Sequence, residues 1–260
     1  MSQAGELDVG VVIVTHNSAE VIEGCVNACC GLDIVVIDNA SSDETLGRIP
    51  SRPGVRTIAN TINNGFAGAV NQGVAAHHRA FILLLNPDVE LSTPVQPSID
   101  ALIVACLDPH TAMATGKLLD WDGRSTVGFN VRRFPTGAAL IFEVLGLNRL
   151  WPGNPVNRRY RYRDVDLEIP RDVDQPAGAF LFFRRSLWTE LGGFDPEFHP
   201  LWYEDVDFCK RAQDLGWKTR YLPTVTARHL GAHSIGKLDW ACREVYWYAS
   251  LLRYASKHFR

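Results

Sequence analysis

The residues best suited to chemistry are carboxylates and imidazoles placed just past apolar runs. In Phe81–Leu91 (FILLLNPDVEL), five apolar residues lead into Asn86-Pro87 and then Asp88. The run is too short for a typical helix and reads as a strand buried on both faces. Pro87 has no N–H for a ladder and holds Asn86 out of helical geometry, so Asp88 emerges at the strand's carboxyl end. In open α/β sheets ligands collect there. A carboxylate there suits a hard divalent cation lying on substrate phosphates; the alternative is an aspartate that only shapes a turn. A second acidic cluster, Glu204, Asp205 and Asp207, opens Leu201–Gly216 (LWYEDVDFCKRAQDLG). The helix dipole alone would favour it. Glu204 and Asp205 are adjacent, however, so one can face inward while the other caps or braces. His229 and His233 follow two short apolar segments.

The elements that must carry these groups alternate. Val9–Thr15 is a β-branched run, hence a first buried strand. Ser18 is an N-cap candidate for a helix from Ala19 to about Cys30. Ile34–Ile37 is a second strand ending in Asp38-Asn39, Ser41–Asp43 cap a short helix through Ile49, and Val55–Ala59 is a third strand. Asn63–Gly68 turns into a helix running to about His78, and the Phe81 strand follows. Four strand–helix alternations predict a parallel, doubly wound sheet. Thr15/Asn17, Asp38/Asn39 and Asn86/Asp88 then share one edge, and three converging polar clusters favour a nucleotide site over plain surface. The first turn lacks G-x-G-x-x-G. The glycine-rich Asn64–Gly73 stretch is a weak signal that tight helix–sheet packing would also explain.

Further on, Pro94–Leu107 reads as a helix, Ala112–Leu118 as a strand and Asp122-Gly123 as a hairpin turn. Gly128–Val173 includes seven arginines between Arg132 and Arg163 and an eighth at Arg171, with Trp151, Tyr160 and Tyr162, and little periodicity. It reads as a long, partly mobile functional loop suited to phosphate and sugar, or as a solvated connector. Ala179–Phe183 is a strand, Ser186–Leu191 a helix, and Lys218–Leu222 and Val225–Arg228 are short strands. Leu238–Phe259 is a final aromatic and basic helix, expected to pack on the core first and to touch a membrane surface second.

Composition excludes several classes. The 46% hydrophobic and 21% charged content is ordinary for a globular chain of 260 residues, and a net charge of −3 gives no support for nucleic-acid binding. No apolar run approaches the roughly 18 residues that span a bilayer. The N-terminal residues show no signal-peptide pattern, and the six cysteines include no C-x-x-C pair. A cytoplasmic protein with free thiols is expected.

Taken together, VVIVTHN (Val11–Asn17), VVIDNASSD (Val35–Asp43), NNGFAGAVNQG (Asn63–Gly73), LLLNPDVEL (Leu83–Leu91), GAFLFFRRS (Gly178–Ser186), GGFDPEF (Gly192–Phe198), YEDVDFCKR (Tyr203–Arg211) and HLGAHS (His229–Ser234) resemble glycosyltransferase family 2. These are inverting enzymes of the GT-A fold, and the nearest subgroup is the rhamnosyltransferase-like one. The resemblance implies an α/β GT-A fold, with a Rossmann-like, mostly parallel sheet flanked by helices. It implies one domain, with a nucleotide-sugar half over 1–118 and an acceptor half with the C-terminal helix over 119–260. Asp38 would accept the imide N–H of uracil or thymine, and Thr15 and Asn17 would contact the nucleoside. Asn39, Asn64, Gly65 and Asn71 would also serve the donor side, and Gly178 would let backbone approach the sugar. Asp88 would be the surviving acid of the family's D-x-D motif, with Asn86 where its first Asp often lies. Asp88 and His229 would hold Mg²⁺ or Mn²⁺, with His233 as a competitor. Asp205 would be the general base, and Glu204 would brace it or touch the acceptor.

The donor implied is a nucleotide-diphosphate sugar, preferably dTDP-rhamnose. The acceptor implied is a glycan or polyprenyl-diphosphate-linked sugar of the cell wall or surface polysaccharide, reached from the inner face of the membrane. The chain has no Q-x-x-R-W, against a processive synthase. The rivals are a sugar nucleotidyltransferase and a degenerate nucleotide-sugar-binding protein.

Overall fold

A computed structural model describes residues 8–231 and 239–259. Strands β1 (Val9–Thr15), β2 (Asp33–Asp38), β3 (Val55–Ala59) and β4 (Phe81–Leu85) alternate with helices α1 (Ile22–Ala28), α2 (Thr45–Arg48) and α3 (Gly65–Ala75). After β5 (Val89–Leu91) come α4 (Val95–Leu107) and β6 (Thr111–Leu119). Then follow β7 (Val131–Arg132), α5 (Gly137–Val144), α6 (Leu147–Leu150), α7 (Pro155–Tyr160), β8 (Arg171–Val173) and β9 (Gln175–Pro176). The chain continues through β10 (Phe180–Arg184), α8 (Arg185–Leu191), α9 (Glu204–Asp214), β11 (Lys218–His229) and α10 (Trp240–His258).

One nine-stranded sheet runs β3-β2-β1-β4-β10-β6-β11-β5, with β8 also paired to β11. β1 to β4 are parallel, as the alternation requires, and β6 and β11 are parallel to each other. β10 enters between β4 and β6 antiparallel to both, and β5 pairs antiparallel with β11. Residues of β1 alternate between two cores: Val9, Val11 and Ile13 join α1 and α4 on one face, Val12 and Val14 join α3 and α9 on the other. A sheet covered on both faces accounts for strands that are apolar throughout rather than alternating.

Several boundaries differ from the sequence reading. Val89–Leu91 is a strand of its own. The two short segments near the C-terminus are one strand, β11, whose register with β6 shifts between Leu222 and Thr226. Pro223 lies in that shift and has no N–H for the ladder. The segment 128–173 is not a loop but carries β7, three short helices and β8. Thr136 caps α5 by accepting the Ala139 N–H, and Asn154 caps α7 with Pro155 in its first turn. These helices are four to eight residues long, too short to leave a readable period. A third apolar cluster joins Leu140 of α5 to Val206 of α9 and to Leu251 and Tyr254 of α10, so packing does place the last helix. Among the described residues no helix is long and apolar enough to cross a membrane. Every described cysteine is unpaired.

Candidate active site

β4 ends in the Asn86-Pro87 break, where the Asn86 N–H donates to the Ala179 carbonyl (3.1 Å) and the chain turns into β5. The β5–β11 register sets Val89 opposite His229. That pairing brings His229 Nε2 to 3.3 Å from Asp88 Oδ1, while the Leu230 N–H donates to the Asp88 carbonyl (3.2 Å). The His229 ring stacks on Phe129, with centroids 5.0 Å apart. Asp88 and His229 are 6% and 4% exposed, two polar groups held at the edge of an otherwise apolar core.

Both open into a cavity of about 660 Å³ whose walls also include Thr15, His16, Asn39, Asn86, Gly178, Glu204 and Asp205. Asp205 is fixed from two sides: Oδ2 accepts the Gly178 N–H (2.7 Å) and Oδ1 accepts the Val206 N–H (2.8 Å). A Cβ on Gly178 would sit 3.3 Å from the Asp205 Cβ, so the glycine's close approach is to this carboxylate. Burial pushes the Asp205 carboxyl up, and the two N–H groups and the Arg132 charge pull it back down. Burial pushes Glu204 well above the carboxylate range, with the neighbouring Asp205 charge adding to it. Its Oε2 is buried without a hydrogen-bond partner. Two adjacent carboxyls thus have different environments, which assigns the anion to Asp205 and the proton to Glu204. Trp202 and Tyr203, both left-handed (φ +76° and +69°), deliver α9 to the cavity without a glycine.

The strand-end clusters converge as expected, with different duties. Asn39 is a crosslink: its amide donates to Asn63 Oδ1 (2.8 Å) and the Gly65 carbonyl (3.2 Å) and accepts the Asn64 N–H (3.0 Å). Asp38 is buried and accepts the Ser41 N–H and hydroxyl. Asn17 accepts the Ser42 N–H (2.8 Å). Gly65, at φ +72°, packs against His199 and Pro200. Asn71 clamps the backbone of Phe194, donating to its carbonyl (2.8 Å) and accepting its N–H (3.0 Å). Asn17, Asp38, Asn64, Gly65 and Asn71 do not line the cavity. Thr15 does, and its buried hydroxyl has no protein partner. The sequence reading did not single out His16, Phe129, Glu143 or Gln175, all of which line the cavity, and Arg132, Tyr160 and Arg161 were part of a composition signal only.

A divalent cation fits the Asp88–His229 pair in part. Their donor atoms, 3.3 Å apart, are close to the roughly 3 Å between adjacent ligands of a small octahedral ion. Among the described residues no group of three or more His, Cys, Asp or Glu could hold a metal, so phosphate oxygens and water would have to complete the shell. His233 lies outside the described residues.

Residues 10–189 match the family model of glycosyl transferase family 2. The chain belongs to this family. It is 32% identical, over 79% of its length and 69% of the relative's, to N-acetylglucosaminyl-diphospho-decaprenol L-rhamnosyltransferase of Mycobacterium tuberculosis. It is 26% identical to the low-salt glycan biosynthesis hexosyltransferase Agl10 of Haloferax volcanii, over 79% of this chain and 62% of the relative. Among solved structures it resembles GalNAc-T7 with UDP, GalNAc and Mn²⁺ (TM-score 0.63, 18% identity, 87% of this chain and 44% of that one). It also resembles the mannosyltransferase PcManGT of Pyrobaculum calidifontis with GDP-Man and Mn²⁺ (TM-score 0.61, 17% identity, 96% and 65%). The fold is therefore GT-A and the chain is a glycosyltransferase, not a nucleotidyltransferase.

Proposed function

We propose that this glycosyltransferase moves a sugar, with inversion, from a nucleotide-diphosphate donor to a polyprenyl-diphosphate-linked sugar, and that the donor is dTDP-rhamnose. What carries the reading is the placement of the Asp88–His229 pair and the Gly178-anchored Asp205 on one cavity. The Mycobacterium tuberculosis relative, whose name specifies an L-rhamnosyl transfer and a diphospho-decaprenol acceptor, supports the choice of substrates.

The donor's nucleoside would lie over the ends of β1 and β2. There the unpartnered Thr15 hydroxyl is a free donor and acceptor, and Asp38 would take a base imide N–H by sharing the carboxylate that Ser41 now holds. A Mg²⁺ or Mn²⁺ ion held by Asp88 and His229 would offset the charge that grows on the departing diphosphate. Asp205 takes the proton of the acceptor hydroxyl as that oxygen bonds to the anomeric carbon and the bond to the diphosphate breaks. Its raised affinity for protons makes it a better base than an exposed aspartate, and the Gly178 and Val206 N–H groups hold it in place. Glu204, kept protonated, adds no second negative charge beside the base.

Asp205→Asn keeps the shape but can accept only one of the two N–H groups and cannot take a proton. Transfer should fall by at least about a hundredfold, while donor binding by calorimetry stays within a factor of two or so. Near-normal turnover in the variant would remove Asp205 as the base.

A further inference from the structure

Two guanidinium groups from the 128–173 segment enter the cavity beside Asp205: Arg132 at the end of β7 and Arg161 just after α7. A single carbonyl steers both. Arg132 Nε donates to Gly128 O (2.7 Å), and Arg161 Nη1 reaches the same oxygen at 3.4 Å while its Nε donates to Asn157 Oδ1 (2.8 Å). Gly128 is left-handed (φ +83°), and a Cβ there would meet the Arg161 side chain at 2.8 Å. Like charges are thus held together by built contacts. After burial, the Arg132 charge is the largest influence lowering the proton affinity of Arg161. Arg161 has Glu143 at 3.4 Å, and among the described residues no carboxylate comes within ion-pair distance of Arg132. Glu143 meets Arg161 through one oxygen, and Arg132 acts on the Asp205 carboxyl without an ion-pair contact, so neither guanidinium is closed in a two-bond carboxylate pair, and such a fork matches phosphate oxygens two at a time.

The two helices that close this side of the cavity carry apolar residues. Leu140, one turn before Glu143 on α5, lines the cavity and packs with Trp247 and Leu251 of α10. Ile141 on α5, Leu145 just after it, and Val245 and Leu252 on α10 are 57%, 63%, 63% and 65% exposed. A phosphorylated head beside an apolar track describes an amphiphile.

We propose that Arg132 and Arg161 form the subsite for the diphosphate of a lipid-linked acceptor, whose hydrocarbon chain leaves the cavity over α5 and α10. This names the acceptor-side contacts of the function proposed above and rests on its polyprenyl-linked acceptor. The subsite shares the cavity with Asp205, so it would set the attacking hydroxyl by anchoring the other end of the acceptor sugar.

The probe is farnesyl diphosphate, titrated by calorimetry into the protein in EDTA, without donor, so that no cation site contributes. Farnesol and inorganic pyrophosphate serve as the half-ligands. The wild-type chain should bind farnesyl diphosphate more tightly than either half. Arg132→Gln and Arg161→Gln should each weaken it by about tenfold or more, and Arg161→Lys should recover only part. Unchanged thermal midpoints would show the variants folded. Equal binding by wild type and both variants, farnesol binding as tight as the diphosphate, or no binding of farnesyl diphosphate would each overturn the subsite. Vesicles of anionic phospholipid that compete fully with farnesyl diphosphate would reassign the pair to a membrane headgroup and also overturn it. Arginine-dependent binding together with failure of dTDP-rhamnose to bind would leave the subsite standing and overturn the donor reading instead.

Discussion

Glu204 and Asp205 are neighbours in sequence with opposite electrostatic duties. Asp205 has two backbone N–H donors on its oxygens, and Glu204 has a buried oxygen with none. A group whose proton affinity is raised by folding holds more protons folded than unfolded, so stability falls as pH rises from the ordinary glutamate value of 4.5 toward the raised one. Glu204→Gln removes that penalty without changing shape. The variant should match or exceed the wild type's thermal midpoint at pH 8, and the advantage should shrink toward pH 5. Scanning fluorimetry across that range checks this, and a loss of stability equal at every pH would count against a protonated Glu204. The sequence marked both carboxyls but could not divide their roles, because one N–H donor comes from Gly178, in the chain before β10, and burial comes from the packing around the start of α9. Asn71 makes the same point in reverse: a polar residue in a glycine-rich stretch looked ligand-facing and instead clamps the Phe194 backbone.

α9 connects the cavity to the end of the chain. Its first turn directs Glu204 and Asp205 into the site, while Asp207, fully buried, meets Arg211 Nε (2.8 Å), Lys257 Nζ (2.9 Å) and His258 Nε2 (2.8 Å). Lys257 also bridges to Asp195 (2.6 Å). The dipole explanation for the acidic cluster therefore covers only part of it, since Asp207 is the anchor for α10. Asp207→Asn leaves Arg211, Lys257 and His258 around a neutral amide. It should destabilise the protein by about 3 kcal/mol in urea unfolding and lower turnover through the displaced start of α9. A midpoint unchanged from wild type would show that α10 is held by the apolar cluster of Leu140, Leu251 and Tyr254 alone. The 128–173 segment was opaque for a related reason. Its caps, Thr136 and Asn154-Pro155, are legible, but helices of one or two turns draw their stability from packing, here on one another and through Leu140 of α5 on α9 and α10, rather than from their own sequence.

Across the whole molecule, one sheet joins the parallel strands β1–β4 to β6, β10 and β11, so the residues at its strand ends are braced by a common sheet. A ligand that bridges those residues should stabilise the entire fold. At a hundred times its dissociation constant it adds about 2.7 kcal/mol, a rise in midpoint of roughly 5–10 °C at this size. In a thermal-shift panel of nucleotide sugars, dTDP-rhamnose with Mn²⁺ should give the largest rise. Asp88→Ala should abolish the cation-dependent part. A larger response to a uridine or guanosine sugar would replace the donor, and an Asp88→Ala response equal to wild type would remove the metal assignment.

The sequence alone determined the parallel half of the sheet, its buried strands and the polar residues at their ends, because burial on both faces and strand-ending turns are local patterns. Only the tertiary structure decided which distant residues meet. The β5–β11 pairing joins His229 to Asp88, the chain before β10 reaches Asp205 through Gly178, and the Gly128 carbonyl gathers Arg132 and Arg161. Those contacts follow from closing a mixed sheet over two cores. No spacing along the chain encodes them.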